Sequence, residues 1–506
     1  MRKHLFYSAL LLTLANLLLR AIGMGFQVYL AGQVGAAGIG LMQLVLTVGG
    51  MAMTVGTSGV RVAGMYLCAE ELGHGRRGGV RSAMACCMGY ALLISALTGA
   101  ALILLSPFIA GRWIGDEAAA PALRLTGAFL PFQCLTAVLG GYFTAAAKVG
   151  RLVLVDLAER LASIGLTLLL LGPAENPGDA CAAIVAGSAL ATMLGFFVLL
   201  SLYLRDARTF GPRSGPGMLR RMGKLCAPLA LNEYLRSGLG TLEHMLIPRG
   251  LSRTSGDHQA AMADYGAIHG MVFPILYFPT SVLYALSDLL VPELARCAAR
   301  NMAQRTEHLT DKCLRLGCFY ACLMAGGLYC LSDPLSLRLY PQNAAQVSLY
   351  LRLFSPLVLA LYLDAIVDGM NKGLGQQVIC VRYNTFTSLL DVALLVLLLP
   401  RWGIGGYYFS FSLTHLLNFF LSIRRLLLVS GHRLSLALPL KATLCAVSAC
   451  ALALQLHLPG QPLPAELLVR AGAYLILYLG LAQLLRTLSG ADLHWLRGIV
   501  FPGRKR

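Results

Sequence analysis

Three arginines, Arg20, Arg61 and Arg236, stand inside long apolar runs of the chain, where a charge is costly and by default faces a bundle interior or a water-filled cavity. Arg20 lies about 16 residues into its run, roughly 24 Å from the start at 1.5 Å per residue. Arg236 lies about 12 residues into another run, near its middle. A guanidinium is a planar fork that grips phosphate bidentately and keeps its charge at any working pH. Three of them around one cavity would make a pyrophosphate site. Simpler readings exist for two of the three. Arg236 is three residues from Glu233 on the same helix face, so the two can neutralise each other. Arg61 can snorkel to an interface. Arg20 has no carboxylate within helical reach.

Carboxylates in apolar runs point to a second role. Asp364 and Asp368 are four residues apart in one run, and Asp391 lies near the middle of the next. Desolvated carboxylates can carry protons or bind sodium. Asp364, Asp391 and Glu233 are therefore the candidates for coupling to H+ or Na+. Asp368, close to the end of its run, is expected to be solvated, and Asp288 and Glu243 to be interfacial. His269 and His415 are expected to hydrogen-bond to a neighbouring helix.

The elements that must position these residues follow from composition. Of 506 residues 57% are hydrophobic and 13% charged, with a mean hydropathy of +0.69. A soluble domain carries about a quarter charged residues, and a single soluble core stops growing near about 250–300 residues. The balance excludes a soluble enzyme, a disordered chain and a secreted disulfide scaffold. What it requires is an all-α polytopic membrane protein. Runs of about 20 apolar residues occur near 5–30, 41–67, 83–110, 122–146, 152–172, 181–204, 225–248, 266–291, 314–332, 346–370, 377–400, 404–429, 435–457 and 466–487, which predicts fourteen transmembrane helices. The basic start (Arg2, Lys3, His4) followed by an apolar run without a clear cleavage site reads as a retained first span.

Charge distribution sets an expected orientation. The chain carries 41 Lys+Arg against 23 Asp+Glu, a net +18. With the N-terminus in the cytoplasm, about 28 of the basic residues fall in cytoplasmic segments and about five in outer loops. An even number of spans then places both termini in the cytoplasm. The short gaps between apolar runs that hold these charges suit the positive-inside rule rather than nucleic-acid binding.

The chain also resembles itself. Leu123 opens LRLTGAFLPFQCLTAVLGGYFTAAAK and Leu351 opens LRLFSPLVLALYLDAIVDGMNKGLGQ, with Gly141 and Gly369 at matching places. An offset of six spans means a parallel repeat: two pseudo-symmetric six-helix lobes plus two C-terminal helices. The domain organisation expected is an N-terminal lobe over 1–204, a basic cytoplasmic linker over 205–224, a C-terminal lobe over 225–430, and two extra helices with a basic tail over 431–506. Pro228, Pro274, Pro279 and Pro356, with Gly49, Gly50 and Gly56, can bend spans as hinges or serve as packing kinks.

No Walker A, HExxH or GxSxG sequence is present. The stretch Gly32–Gly40 (GQVGAAGIG) follows a span rather than a strand, so it reads as a turn between spans and not as a dinucleotide fingerprint. Most of the fourteen cysteines lie in apolar runs without metal-site spacing and are read as packing residues. No metal, cofactor or catalytic residue is expected.

Several stretches resemble the multidrug/oligosaccharidyl-lipid/polysaccharide (MOP) flippase superfamily, and most of all its stage V sporulation protein B-like polysaccharide exporter branch. The opening LLLRAIGMGFQVYLAGQVGAAGIGLMQL is similar to that family's first span, Cys226–Leu251 to its seventh, Tyr265–Arg300 with Pro279 and Val291-Pro292-Glu293 to its eighth, and Ser489–Ile499 to its ending. The sequence departs from the family pattern at Gln27, where a second basic residue is common, at Arg61, where Pro is frequent, and at Glu243, where Asp is usual. The resemblance implies a bacterial inner-membrane flippase that moves an undecaprenyl-pyrophosphate-linked oligosaccharide or cell-wall precursor by alternating access, with Arg20 as the first-span cavity arginine and a role in sporulation. The expected partners are the lipid-linked glycan, membrane lipid and H+ or Na+, with no nucleic acid, and the chain is expected to act as a monomer. Two alternatives stay open: a cation-coupled multidrug efflux pump of the same fold, and a non-transporting membrane scaffold for glycan synthesis. An arginine-rich cavity disfavours cationic cargo, since like charges repel strongly at low dielectric.

Overall fold

The computed structural model describes residues 2–487 apart from 58, 173–175, 213–216, 433–434, 436 and 457–462, with the backbone alone for 2–17, 288 and 289. The Ser489–Ile499 stretch, the basic tail to Arg506 and the side chain of Asp288 lie outside the described residues. The chain forms two compact units, Met1–Gly266 and Ala267–Arg506.

In the first unit α1 (Arg2–Thr57) is two helices folded at Gly35, whose φ of 70° and ψ of 178° are non-helical. Glycine takes that conformation without a Cβ clash, which is the turn expected within Gly32–Gly40. Next come α2 (Val60–Gly73), α3 (Arg77–Phe108), α4 (Ala120–Ala145), α5 (Val149–Leu171), α6 (Pro177–Ala207), α7 (Met218–Ser255) and α8 (His258–Tyr265). Proline at the first position of α6 loses no helical hydrogen bond there. The Asp257 carboxylate caps α8 by accepting from the Gln259 N–H at 2.8 Å. α3 packs on α4, α4 and α5 on α6, and α7 and α8 on α1. A core of Leu67, Met84, Leu139, Tyr142, Phe143 and Leu199 joins α2, α3, α4 and α6.

The second unit holds α9 (Phe273–Tyr277), α10 (Thr280–Ala299), α11 (Ala303–Cys330), α12 (Ser332–Leu339), α13 (Ala344–Phe354), α14 (Val358–Gly373), α15 (Gln377–Ser430), α16 (Ala437–Leu454) and α17 (Leu463–Leu484). Pro279 and Pro356 mark the breaks between α9 and α10 and between α13 and α14, as a missing N–H requires. α15 is again two arms folded at a glycine, Gly403, with φ 52° and ψ −130°. Both C-terminal helices lie on α11: α16 packs against it, and from α17 the Tyr474 hydroxyl donates to the Leu323 carbonyl at 2.9 Å and the Tyr478 hydroxyl to the Phe319 carbonyl at 2.8 Å. Cys318 and Cys322 are buried in the same apolar cluster.

Among the described residues, nine helices are long and apolar enough to cross a membrane, or ten if the broken pair His258–Tyr277 and Thr280–Ala299 is one span. Two of the nine are the glycine-folded stretches, each holding two passes. α5 carries too many charges, and α7 is too polar, to pass on composition, yet both have the length. With them the count is the fourteen expected. At the places that the expected repeat matches, α4 packs on α2 and α14 on α10. A Cβ on Gly141 of α4 would stand 2.9 Å from the Arg61 backbone carbonyl on α2, whereas one on Gly369 of α14 would meet the Ser287 side chain of α10. Compactness divides the chain after Gly266, later than the 205–224 boundary of the repeat, because α7 packs on α1, α2 and α3. Helices also reach into 205–224 from both sides, α6 ending at Ala207 and α7 starting at Met218. The first partition reads packing and the second ancestry; we retain the lobes of the repeat as a proposal about ancestry.

Candidate functional site

The second span is broken rather than continuous over 41–67: α1 ends at Thr57, and Gly59 (φ 69°) starts α2 without a side-chain cap. The left-handed φ and the backbone of Cys226, 2.6 Å from where a Cβ would stand, both demand glycine at 59. A broken span leaves helix N–H groups unpaired within the bilayer. One finds its acceptor on α7, where the Glu233 carboxylate takes the Gly59 N–H at 3.2 Å. Beside it the Tyr234 hydroxyl donates to the Val55 carbonyl at 3.4 Å.

A cavity of about 550 Å³ opens at this break, and Arg61, Glu233 and Arg236 all line it, with Gly59, Thr144 and Ser237. Arg61 sits on the first turn of α2, and Arg236 one turn beyond Glu233 on α7. Among the described residues no hydrogen bond or ion pair engages either guanidinium. Glu233 serves the helix break instead of neutralising Arg236. Two guanidinium groups and the N-terminal end of α2 therefore face one space holding a single carboxylate, and helix N-termini favour anions. Such a space can hold a multiply charged anion by bidentate contacts.

Arg20 is not among the residues lining this cavity. It is an exposed residue of α1, one turn before Gly23, and the Arg160 guanidinium lies 2.7 Å from where a Cβ on Gly23 would stand. Of the three arginines expected to converge, the structure brings two into one cavity.

Residues on α5 escaped the sequence reading. Asp156 lies within Coulombic reach of Arg61, and Glu159 accepts from the Thr192 hydroxyl of α6 at 2.7 Å. Their signal was three charges, Asp156, Glu159 and Arg160, within five residues of a run otherwise apolar enough to read as a plain span.

The remaining coupling candidates lie in the second unit. Asp391 is 4% exposed, and one of its oxygens accepts from the Ser410 hydroxyl at 2.7 Å and the Thr414 hydroxyl at 3.1 Å across the fold of α15. Asp364 accepts from the Asn418 amide at 3.1 Å, while its other oxygen is buried without a partner among the described residues. Asp368 pairs with Lys372 at 2.6 Å. The His269 ring meets the Tyr407 hydroxyl at 3.1 Å, a neighbouring helix as expected, whereas His415 bonds the Phe411 carbonyl of its own helix at 2.9 Å.

Comparison with known proteins adds to this geometry. The profile of a family described as "Polysaccharide biosynthesis protein" matches residues 5–285. The chain is 21% identical over 413 residues to "Stage V sporulation protein B" of Bacillus subtilis (strain 168), covering 79% of this chain and 78% of that protein. Among solved structures it is similar to "Lipid II flippase MurJ, inward closed conformation", with a TM-score of 0.69, 14% identity, and coverage of 94% of this chain and 98% of that one. It is also similar to an inward-facing "multidrug resistance MATE family transporter of the MOP superfamily", with a TM-score of 0.61, 15% identity, and coverage of 82% and 96%.

Proposed function

This chain belongs to the polysaccharide biosynthesis protein family, whose profile spans more than half of it, and from that premise we propose that it is a flippase for a lipid-linked oligosaccharide or cell-wall precursor, carried on undecaprenyl pyrophosphate. It is a multi-pass membrane protein with the fold of MOP superfamily transporters. The observation that carries the proposal is the cavity at the broken second span, where Arg61 and Arg236, without ion-pair partners among the described residues, stand beside the N-terminus of α2. There the two guanidinium groups hold the pyrophosphate. Arg20, at membrane depth outside this cavity, is a further contact for the charged group along the first unit. Transport proceeds by alternating access without covalent chemistry, in a monomer oriented by its basic segments with both termini in the cytoplasm. Asp391 or Asp364 couples H+ or Na+ movement to it.

Fold extent supports a flippase over a drug pump. Residues 1–430 make up about 85% of the chain (430 of 506), so the 94% coverage by the flippase structure extends into the last two helices. The multidrug transporter covers only 82%. Cationic drugs would also meet two guanidinium groups.

The test is flipping of a fluorescent undecaprenyl-pyrophosphate sugar in proteoliposomes, with and without proton and sodium gradients. Wild-type activity that falls in Arg61→Ala and Arg236→Ala supports the proposal. Flipping untouched in both variants keeps the flippase and removes the arginine clamp. No flipping by correctly inserted protein removes the flippase, and drug-sensitivity profiling of a deletion strain then separates efflux from a scaffold. Loss of gradient dependence in Asp391→Asn or Asp364→Asn identifies the coupling carboxylate.

A further inference from the structure

A second cavity, of about 890 Å³, lies in the second unit between α11, α14, the second arm of α15, and α16. Its walls are apolar, with Leu363, Leu416, Phe419 and Phe420 among them, and Phe420 and Leu416 are 59% and 46% exposed. One end is different. Arg424, Lys441 and Arg486 line it there, beside Arg315. Arg424 is six residues before the end of α15, Lys441 four residues into α16, and Arg486 two residues past α17, so the chain's own up-and-down course brings them to the same end of the unit. The acid at that end, Asp311, lies 3.8 Å from His432. Among the described residues none of Arg424, Lys441 and Arg486 is in an ion pair. Arg425, the next residue, is instead tied to the Gln376 side chain at 2.9 and 2.6 Å. The two neighbours on one helix thus divide, one held by protein and the other left to the groove.

We propose that this groove binds an anionic phospholipid, its phosphate against Arg424, Lys441 and Arg486 and its acyl chains along the apolar walls. Charge complementarity fixes the head group, because basic pockets between transmembrane helices recognise anionic lipid heads. Depth fixes the tail. From Arg424 to Leu416 is eight residues, about 12 Å of helix, close to one leaflet's share of a hydrocarbon core about 30 Å thick. That span fits a diacyl lipid of the leaflet on the basic side, cytoplasmic in the orientation proposed above. The function proposed above seats the charged group of the cargo at Arg61 and Arg236, which leaves the basic end of this groove for another anionic head group.

Native mass spectrometry of the purified full chain, titrated with phosphatidylglycerol or phosphatidylcholine, tests this. Phosphatidylglycerol should bind at least about tenfold more tightly, with an affinity that falls as salt rises. Arg424→Gln combined with Lys441→Gln should remove about tenfold of that preference, and Ala360→Trp, which fills the groove, should reduce binding of phosphatidylglycerol. Arg425→Gln, which deletes a charge at the same helix end but outside the groove, should leave it unchanged. If the double variant does not fold, Arg424→Gln against the charge-retaining Arg424→Lys carries the comparison. Equal affinity for the two lipids overturns the proposal, as does binding unchanged by the charge variants. One-for-one displacement of phosphatidylglycerol by undecaprenyl pyrophosphate overturns it too, assigning the groove to cargo.

Discussion

In the first unit Gly141 of α4 brings its backbone against α2 at Arg61; in the second, Gly369 of α14 meets α10 at Ser287. Gly141 and Gly369 are 228 residues apart and Arg61 and Ser287 are 226 apart, so the same helix pair is in contact at nearly the same repeat position. A glycine there lets two helices approach with almost no side chain between them. What stands opposite the glycine is the Arg61 backbone carbonyl in one unit, with that residue's guanidinium lining the cavity, and the Ser287 side chain in the other. The difference extends outward from that contact. Around Arg61 the first unit has a cavity, a second guanidinium and an uncapped helix start. The second unit places its buried polar groups between α14 and the arms of α15, as carboxylates held by Ser410, Thr414 and Asn418. The cavity with two guanidinium groups belongs to the first unit, and the buried carboxylates Asp391 and Asp364 to the second.

The comparison breaks most visibly if position matters more than charge. Replacing Arg61 or Arg236 with Ala should lower flipping by about 10- to 100-fold, the value of a charged hydrogen bond of about 1.5–3 kcal/mol. Ser287→Ala, at the matching place, should leave flipping close to wild type. Equal damage from Arg61→Ala and Ser287→Ala in the proteoliposome assay would sink the division of charges. A smaller effect is expected on stability in the second unit. Asp391→Ala takes the carboxylate acceptor from the Ser410 hydroxyl and leaves Thr414 only backbone acceptors such as the Ser410 carbonyl at 2.9 Å, at a cost of about 1–3 kcal/mol, while Asp391→Asn keeps the shape and an acceptor and should cost less. Thermal unfolding in detergent reads the difference. Asn and Ala variants that unfold alike would mean that the two hydroxyls draw nothing from that oxygen.

The fourteen passes and the glycine turn at Gly35 were legible because each depends on local pattern: apolar run length, and a residue without a Cβ where the chain must turn. The site was legible only in part. Hydropathy identified Arg61 and Arg236 as misplaced charges, but it averages over a window and does not say which residues share a face with a distant helix. Arg20 looked as buried as the other two and stands outside the cavity. Glu233 was read against Arg236 because three residues separate them, whereas its partner is a backbone N–H 174 residues away, exposed by a break that a continuous apolar run conceals. The α5 charges failed for the opposite reason, since long apolar flanks outweighed them. Local periodicity carries the scaffold; the site depends on where that scaffold is interrupted.

The smallest effect sharpens the comparison at its edge. Lys148 follows α4 and Gln376 follows α14, again 228 residues apart, and each reaches the last turns of a later helix in its unit. Lys148 pairs with Asp206 at the end of α6 at 2.6 Å, where the Tyr142 hydroxyl at 3.1 Å and Arg151 at 3.7 Å also converge. Gln376 accepts both hydrogen bonds from Arg425. The tie is conserved in place and inverted in polarity: an acid on the later helix in one unit, a base in the other. Lys148→Gln should cost at most about 1 kcal/mol, because the pair is partly exposed and Asp206 keeps two donors. The deficit relative to wild type should shrink as salt screens the ion pair. Gln376→Lys sets an ammonium against the Arg425 guanidinium and removes its acceptor. Its cost should be of similar size, about 1 kcal/mol, but here salt screens a repulsion. Unfolding midpoints at low and high salt therefore separate the two. In Lys148→Gln the narrowing comes from wild type losing its advantage, and in Gln376→Lys from the variant recovering. A wild type insensitive to salt in the first comparison, or a variant insensitive in the second, would mean that the inversion of polarity has no energetic content.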